Sequence, residues 1–336
     1  FVFDNVVSYI LFFSILGIMF VFAAVLFGGL TFTRQYIAEA YITKSVAYAQ
    51  NTPDLARAER TARLAVRWFD TGLAHKSLAR VSLLELGALA KNESISADAL
   101  KPELQKLVST VESEALAAVS TDKKNADNWI FLGSAYDVLQ GFGVTGAYES
   151  GKNAYTQAMV YAPKNPGIYL NLATLALGKK SYQDARDYAN MALSMKPNMA
   201  DAYFVLSQID VAAGNLDRAL ENAEKASAVA PNDASAFFRL GTLAYNNKSY
   251  QKAISAFERS VILNPSLLNA RYFLGLSYAQ VDRTDDAIAQ FEFLNRQLPN
   301  NTQVSSILAN LKAGVPAFGS PVVIPEETDK TPEKKK

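Results

Sequence analysis

The chain opens with one long apolar run. No residue between Val6 and Leu30 is charged, and a helix over this run would be about 37 Å long at about 1.5 Å per residue. Such a helix can cross a hydrocarbon core about 30 Å thick. A signal peptide has a shorter apolar region and a small-residue cleavage site, which does not follow directly here. The pattern predicts a retained transmembrane helix over residues 1–31.

The charges that flank this run predict an orientation. Arg34 and Lys44 follow it, and Asp4 precedes it. Because basic residues collect on the cytoplasmic side, we expect a bacterial cytoplasmic membrane location with the following segments in the cytoplasm. The chain begins with Phe1 instead of Met, which suggests a fragment or a processed chain, and upstream loops would change this orientation.

Beyond residue 125 the hydrophobic pattern repeats every 34 residues. The period is set by five prolines: Pro163, Pro197, Pro231, Pro265 and Pro299. Aligned on them, the units begin at Ala126, Pro166, Ala200, Ala234 and Leu268. Each unit opens with apolar residues at helical spacing, and proline ends its second helix because it cannot continue the backbone hydrogen bonding. Small residues occupy the eighth position, where two helices approach closely: Gly133, Ala173, Ser207, Gly241 and Gly275.

Helix–turn–helix units with this period, these small positions and a closing proline resemble tetratricopeptide repeats. The resemblance covers residues 126–299 as five repeats. It implies an all-α fold in which the repeats form an α-solenoid, a right-handed superhelix of helix pairs. Two positions depart from the pattern, since Asp210 stands where an aromatic residue is usual and Leu294 where a small one is usual.

The segments around these repeats are less regular. Residues 32–125 predict an irregular helical region with one or two degenerate repeats. Residues 300–313 predict a capping helix with a polar outer face. Residues 314–336 are rich in proline and charge, which predicts a disordered tail.

The resemblance also implies a surface for a partner, because the fifth position of such repeats faces the concave groove and the ninth lies beside it. The predicted groove residues are Leu170, Phe204, Gln208, Phe238, Thr242, Tyr272 and Leu276. An apolar floor beside hydrogen-bonding groups suits an extended peptide or a partner helix. Packing of the same aromatic residues between the helices is the alternative.

Repeats that clamp a terminal carboxylate resemble one another in Lys at the fifth and Asn at the ninth position. No unit has this pair, and Arg239 at the sixth position is a fragment of such a clamp. Recognition of a chaperone's terminal carboxylate is therefore disfavoured.

Four arginines fall on one helix face before the repeats: Arg57, Arg60, Arg63 and Arg67. Such a face can meet anionic lipid headgroups or the carboxylates of a partner. A solvated face balanced by Asp54, Glu59 and Asp70 is the other interpretation, and it is the commoner one for charged helix stripes.

Composition argues against an active site. The chain has no cysteine and one histidine, His75, which is expected to be a surface or packing residue. The net charge of +1 gives no reason to expect nucleic acid. Gly141, Gly143 and Gly146 spell a phosphate-loop pattern, but a predicted helix precedes them where a strand is required. We therefore expect a turn there, with no cofactor, no metal and no enzymatic activity.

These patterns favour a membrane-anchored scaffold that binds proteins or peptides through its repeats and lipid through its first helix. The alternative is an accessory region of an enzyme. A last membrane span followed by such repeats is similar in architecture to the C-terminal part of bacterial O-antigen-type glycan polymerases or ligases, whose catalytic region would lie upstream.

Overall fold

The computed structural model describes the backbone of residues 2–51, 54–92 and 97–317, and side chains of residue 19 and residues 25–50, 54–92 and 100–317. Every regular element in these ranges is an α-helix. The helices are α1 (Val2–Asn51), α2 (Leu55–Trp68), α3 (Gly72–Ala90), α4 (Ala97–Thr121), α5 (Ala126–Gly141), α6 (Ala147–Tyr161), α7 (Pro166–Gly178), α8 (Tyr182–Met195), α9 (Ala200–Ala212), α10 (Leu216–Val229), α11 (Ala234–Asn246), α12 (Tyr250–Leu263), α13 (Leu268–Ala279), α14 (Thr284–Gln297) and α15 (Thr302–Lys312).

The chain divides into two compact units within α8. The amino-terminal unit is Phe1–Tyr188 and the carboxy-terminal unit is Ala189–Lys336. This division differs from the predicted boundary at residue 125, and the predicted domain limits stay predictions.

In the amino-terminal unit, each helix packs on the next along the chain. The pairs α1–α2, α3–α4 and α5–α6 have the largest contacts, and the first helices also meet one another, α1 with α3, α3 with α5 and α5 with α7. The helices α1 to α4 of the irregular region thus also pack as consecutive pairs, and its degenerate repeats stay a prediction. Leu86, Val111, Leu132 and Leu139 belong to a buried cluster that α3, α4 and α5 share.

The carboxy-terminal unit contains the pairs α9–α10, α11–α12 and α13–α14, with α15 packed on α14. Its core is aromatic. The rings of Phe257 and Phe273 stack with centroids 5.8 Å apart and an angle of 17° between their planes. Phe291 is fully buried in the same cluster, together with Val304 and Ile307 from α15.

Small residues at the eighth position allow this close packing. A Cβ added at Gly241 would lie 2.6 Å from the ring of Phe257, and one at Gly275 would lie 2.8 Å from the ring of Phe291. Either distance is shorter than a van der Waals contact. The rings therefore pack directly on the glycine backbone, as the repeat pattern requires.

The turns inside the repeats are as periodic as the prolines. Lys180, Gly214, Lys248 and Asp282 all have positive φ, between 58° and 76°, and they lie 34 residues apart. Gly146 has φ 80° one period earlier. The glycines of the phosphate-loop pattern thus end α5 and form its turn with α6, as expected.

Asp210 replaces an aromatic residue with a buried polar contact. Its side chain is 0% exposed, and its Oδ2 accepts a hydrogen bond of 2.8 Å from Nδ2 of Asn222. Arg218 Nε lies 3.9 Å from its Oδ1. Because a buried carboxylate is costly without such partners, α10 compensates for the change in α9.

The expected membrane location is contradicted. Over the side chains that the structure describes, no helix is both long and apolar enough to cross a membrane. In α1 the described side chains include Arg34, Glu39 and Lys44, whose charges are costly in hydrocarbon. The prediction of a bacterial cytoplasmic membrane location, with the repeats on the cytoplasmic side, is therefore wrong. Lipid contact through α1 has no support. Most of the predicted transmembrane run at residues 6–30 lies outside the described side chains.

Among the predicted tail residues, Gly314–Ala317 are described, and Ala317 is buried in the core cluster of the carboxy-terminal unit. The rest of the predicted disordered tail lies outside the described residues.

Candidate partner-binding surface

In the carboxy-terminal unit, α9 and α11 meet through an arginine stacked on a phenylalanine. The guanidinium carbon of Arg239 lies 4.2 Å from the ring centroid of Phe204. Both residues line a small recess with Asp201 and Asp233. The Asp233 carboxylate accepts the N–H of Ser235 at 2.8 Å and so caps α11.

The stacking leaves the hydrogen-bonding edge of Arg239 available. Among the described residues no carboxylate forms an ion pair with it, although two line the same recess. A guanidinium held against a ring is preorganised, with planar N–H donors that bind a carbonyl or a carboxylate. Sequence reasoning left Arg239 out of the groove. The sequence does contain a signal for this contact, because Arg239 follows Phe204 by one repeat period plus one residue.

Two polar side chains lie one turn along these first helices. Gln208 follows Phe204 on α9 and is exposed. Thr242 on α11 is half-buried, and its Oγ1 donates a hydrogen bond of 2.9 Å to the Phe238 carbonyl. Gln208 therefore offers a free amide, while Thr242 offers an acceptor.

Tyr272 extends this face onto α13. Its ring is half-buried and lies edge-on to Phe273, with centroids 5.6 Å apart. Its hydroxyl accepts a hydrogen bond of 2.9 Å from Nε2 of Gln303 on α15. Burial raises the pKa of Tyr272, so the phenol stays protonated at neutral pH and keeps its own proton to donate.

Two predicted groove residues belong to the core instead. Phe238 is 9% exposed, and its ring centroid lies 5.9 Å from that of Phe257 and 6.2 Å from that of Phe273. Leu276 is 0% exposed and shares a buried cluster with Val304 of α15. Their side chains fill the space between helices, so neither is available to a partner.

Leu170 is half-buried on α7 and belongs to the amino-terminal unit. The seven predicted groove residues therefore do not form one surface within a compact unit. The residues of this set that stay at least partly exposed on the first helices α9, α11 and α13, together with Arg239, are Phe204, Gln208, Arg239, Thr242 and Tyr272, which we call the partner face.

The arginine face on α2 is partly neutralised. Arg57 Nε lies 3.1 Å from Oδ2 of Asp54, and Arg63 Nη2 lies 2.7 Å from Oε1 of Glu59. Arg60 and Arg67 are exposed. These local ion pairs favour the solvated interpretation, and binding of lipid or a partner there stays a prediction.

His75 is a buried ion-pair residue, which sequence reasoning missed. It is 8% exposed, with Nε2 2.6 Å from Oδ1 of Asp70 and Nδ1 2.6 Å from Oε2 of Glu114. The hydrogen bond with Glu114 is the largest cause of its raised pKa. Since Glu114 lies 39 residues away on α4, no local signal could reveal the pair.

Comparisons with known proteins agree with the repeat geometry. Residues 144–200 match a family model described as tetratricopeptide repeat, and residues 212–294 match that of anaphase-promoting complex, cyclosome, subunit 3. The helix pairs are tetratricopeptide-like repeats. Each family match covers less than half of the chain, so the likeness concerns the repeats. A search of curated protein sequences finds no match.

One solved structure supports the same fold, and a second is similar at a lower TM-score. The crystal structure of yeast Tom70 is similar with a TM-score of 0.60 and 17% identity, over 84% of this chain and 55% of Tom70. The chain thus spans about half the length of Tom70. A tetratricopeptide repeat protein from Parabacteroides merdae has a TM-score of 0.48 and 15% identity, over 82% of this chain and 99% of that one.

At these identities the structural likeness concerns the fold alone. A tetratricopeptide array is typically a non-catalytic scaffold whose surface binds other proteins. The comparisons give no support to the resemblance to O-antigen-type enzymes.

Proposed function

We propose that this chain is a scaffold that binds an extended segment of a partner protein on the partner face. One observation carries the proposal: Arg239 is stacked on Phe204 without an ion pair among the described residues. Stacking explains the position of the side chain, but it leaves the guanidinium donors for another molecule.

The neighbouring contacts extend this surface along the unit. Phe204 and Arg239 join α9 to α11, and Tyr272 joins α13 to α15 through Gln303. The first helices thus present half-buried rings next to polar groups. Such a surface suits a polypeptide whose apolar side chains cover the rings while its backbone exchanges hydrogen bonds with Gln208 and Arg239.

Charge restricts the chemistry of the partner. Asp201 and Asp233 line the recess with Arg239, so the recess carries one negative charge more than positive charge. A carboxylate of the partner, which would be the third at this site, would be repelled by these two. Arg239 is therefore better suited to a neutral backbone carbonyl, and the segment that fits is extended, largely apolar and not acidic.

The test starts from a random peptide library selected on the intact chain. We expect enriched peptides to be apolar and poor in Asp and Glu. Arg239→Gln should weaken binding of a selected peptide about tenfold, the effect of losing a hydrogen bond from a charged donor, as measured by fluorescence anisotropy.

Arg271→Gln is the matched control. Arg271 is also stacked on a ring, 4.0 Å from the centroid of Phe293, but its Nη1 already donates to Oε1 of Gln290 at 3.2 Å. The Arg271→Gln substitution should change the affinity for the selected peptide by less than about twofold, within the range of a small surface effect. Equal losses in both variants, or no loss with Arg239→Gln, would contradict the proposal.

The glycan polymerase alternative gains no support from the fold or the comparisons. The proposal needs no cofactor and no catalytic step. Among the described residues, no cluster of three His, Cys, Asp or Glu side chains is arranged to hold a metal ion.

A further inference from the structure

The amino-terminal unit contains a cleft that is separate from the partner face. It encloses about 390 Å³ between α2, α3 and α4. Helices α3 and α4 have 19 and 25 residues, whereas α2 has 14. Leu55, Glu59 and Arg63, from the first turns of α2, line the cleft.

The cleft combines an apolar floor with charged walls. Leu89 on α3 and Leu107 on α4 contribute apolar surface. The charged groups that face it are Glu59 and Arg63 on α2, Glu85 on α3, and Glu103 and Lys106 on α4. The cleft therefore holds three carboxylates and two cations.

The two cations are engaged with carboxylates other than Glu85. Arg63 donates to Glu59 at 2.7 Å, and Lys106 Nζ lies 3.8 Å from Glu103. Within the described part of the chain no side chain forms an ion pair with Glu85, which is half-buried on the cleft wall. Burial, reinforced by the charge of Glu59, raises the pKa of Glu85 to about 7.

We propose that this cleft binds the ammonium group of a lysine side chain from a partner protein. The ammonium lies between Glu85 and Glu59, and the alkyl chain lies on Leu89 and Leu107. An ammonium is a compact charge with three donors, which suits a cleft lined by both carboxylates. Its flexible methylene stem covers the leucines that would otherwise face water.

Proton linkage gives this binding a distinctive signature. The ammonium binds the ionised form of Glu85, and a group with a pKa of about 7 is about 10% ionised at pH 6 and about 90% ionised at pH 8. Affinity should therefore rise about tenfold between these pH values. Near pH 6 each binding event should release almost one proton, which calorimetry in two buffers measures.

Three small probes test the chemistry on the intact chain by NMR titration. Pentylamine should bind, while 1-pentanol, which lacks the charge, should not. Nα-acetyl-lysine methylamide should bind about as tightly as pentylamine, because it presents the same group on a peptide backbone. If 1,5-diaminopentane binds and the lysine amide does not, the ligand is a free amine and the proposal fails.

Two variants locate the interaction. Glu85→Gln should weaken pentylamine binding about tenfold at pH 8 and remove its pH dependence. Glu149→Gln removes the same charge from an exposed position on α6, outside the cleft, and should change affinity less than about twofold. Equal losses would show a diffuse electrostatic attraction and overturn the proposal. A cooperative thermal unfolding transition, monitored by circular dichroism, is the check that the Glu85→Gln variant is folded.

Discussion

In the carboxy-terminal unit the pairs α11–α12 and α13–α14 meet through aromatic rings packed on glycine, whereas in the amino-terminal unit the contact between α1 and α2 includes small and polar side chains. Gly241 faces Phe257 at the first kind of contact. At the second, Ala58 and Ala62 are fully buried and Ser45 Oγ donates to the Ala58 carbonyl at 2.9 Å. A ring on glycine leaves no room for a Cβ at that position, whereas Ala58 and Ala62 are buried with their own methyl groups in place.

Loss of a buried ring should have the largest effect. Phe257→Ala should lower the free energy of unfolding of the carboxy-terminal unit by about 3–5 kcal/mol, because the ring is fully buried and stacked on Phe273. Urea unfolding combined with hydrogen exchange of α12 and α13 measures this. Phe257→Leu keeps much of the volume and should cost less. A loss below about 1 kcal/mol in the alanine variant would refute the ring-on-glycine account.

Adding one methyl group should act in opposite directions in the two regions. Gly241→Ala places Cβ 2.6 Å from the Phe257 ring and should cost about 1–3 kcal/mol through overpacking. Gly87→Ala in α3 meets no atom within 4 Å and should stabilise by about 0.5–1 kcal/mol, because alanine is the better helix former. Thermal unfolding compares them. If both substitutions changed the stability in the same direction, the proposed difference in packing between the two regions would be contradicted.

Alkaline pH should weaken the amino-terminal unit through His75. With both ring nitrogens 2.6 Å from carboxylate oxygens, the imidazolium satisfies both contacts, whereas the neutral ring leaves one lone pair facing an anion. Its pKa is raised above 6.5 in the folded state, so the folded state binds more protons. The stabilisation is complete below the unfolded pKa of about 6.5 and is lost as pH rises through the folded value, with a slope of at most about 1.4 kcal/mol per pH unit.

His75→Gln provides the control for this effect, because it cannot be protonated and leaves Glu85 unchanged. Urea unfolding between pH 6 and 9 should show a larger decline in the native chain than in the variant, in which only the contribution of Glu85 below about pH 7 remains. An equal decline in both would mean that another group is responsible.

The features that the sequence predicted are those that local chemistry determines, such as the ends of the helices. The second helices of the repeats end two residues before each proline, at Tyr161, Met195, Val229, Leu263 and Gln297. Proline acts on its own backbone and the preceding residue, so this boundary needs no tertiary information.

The sequence predictions that were wrong or incomplete concern residues whose surroundings depend on contacts between helices. Leu276 has the periodicity of a groove residue, but its burial depends on the packing of the cluster that it shares with α15. His75 depends on a carboxylate from α4. The importance of Arg239 arises from its stacking on a ring of the preceding helix pair. Repeat registers place residues on faces, but they do not determine which faces another element covers.

The proposed partner segment binds across the first helices of the carboxy-terminal unit. A selected peptide that carries a photoreactive group tests this binding by mass spectrometry of the crosslinked chain. We expect crosslinks within Ala200–Ala212 and Ala234–Asn246, the helices that carry Phe204 and Arg239. Crosslinks confined to the second helices α10 and α12, or to the amino-terminal unit, would contradict it.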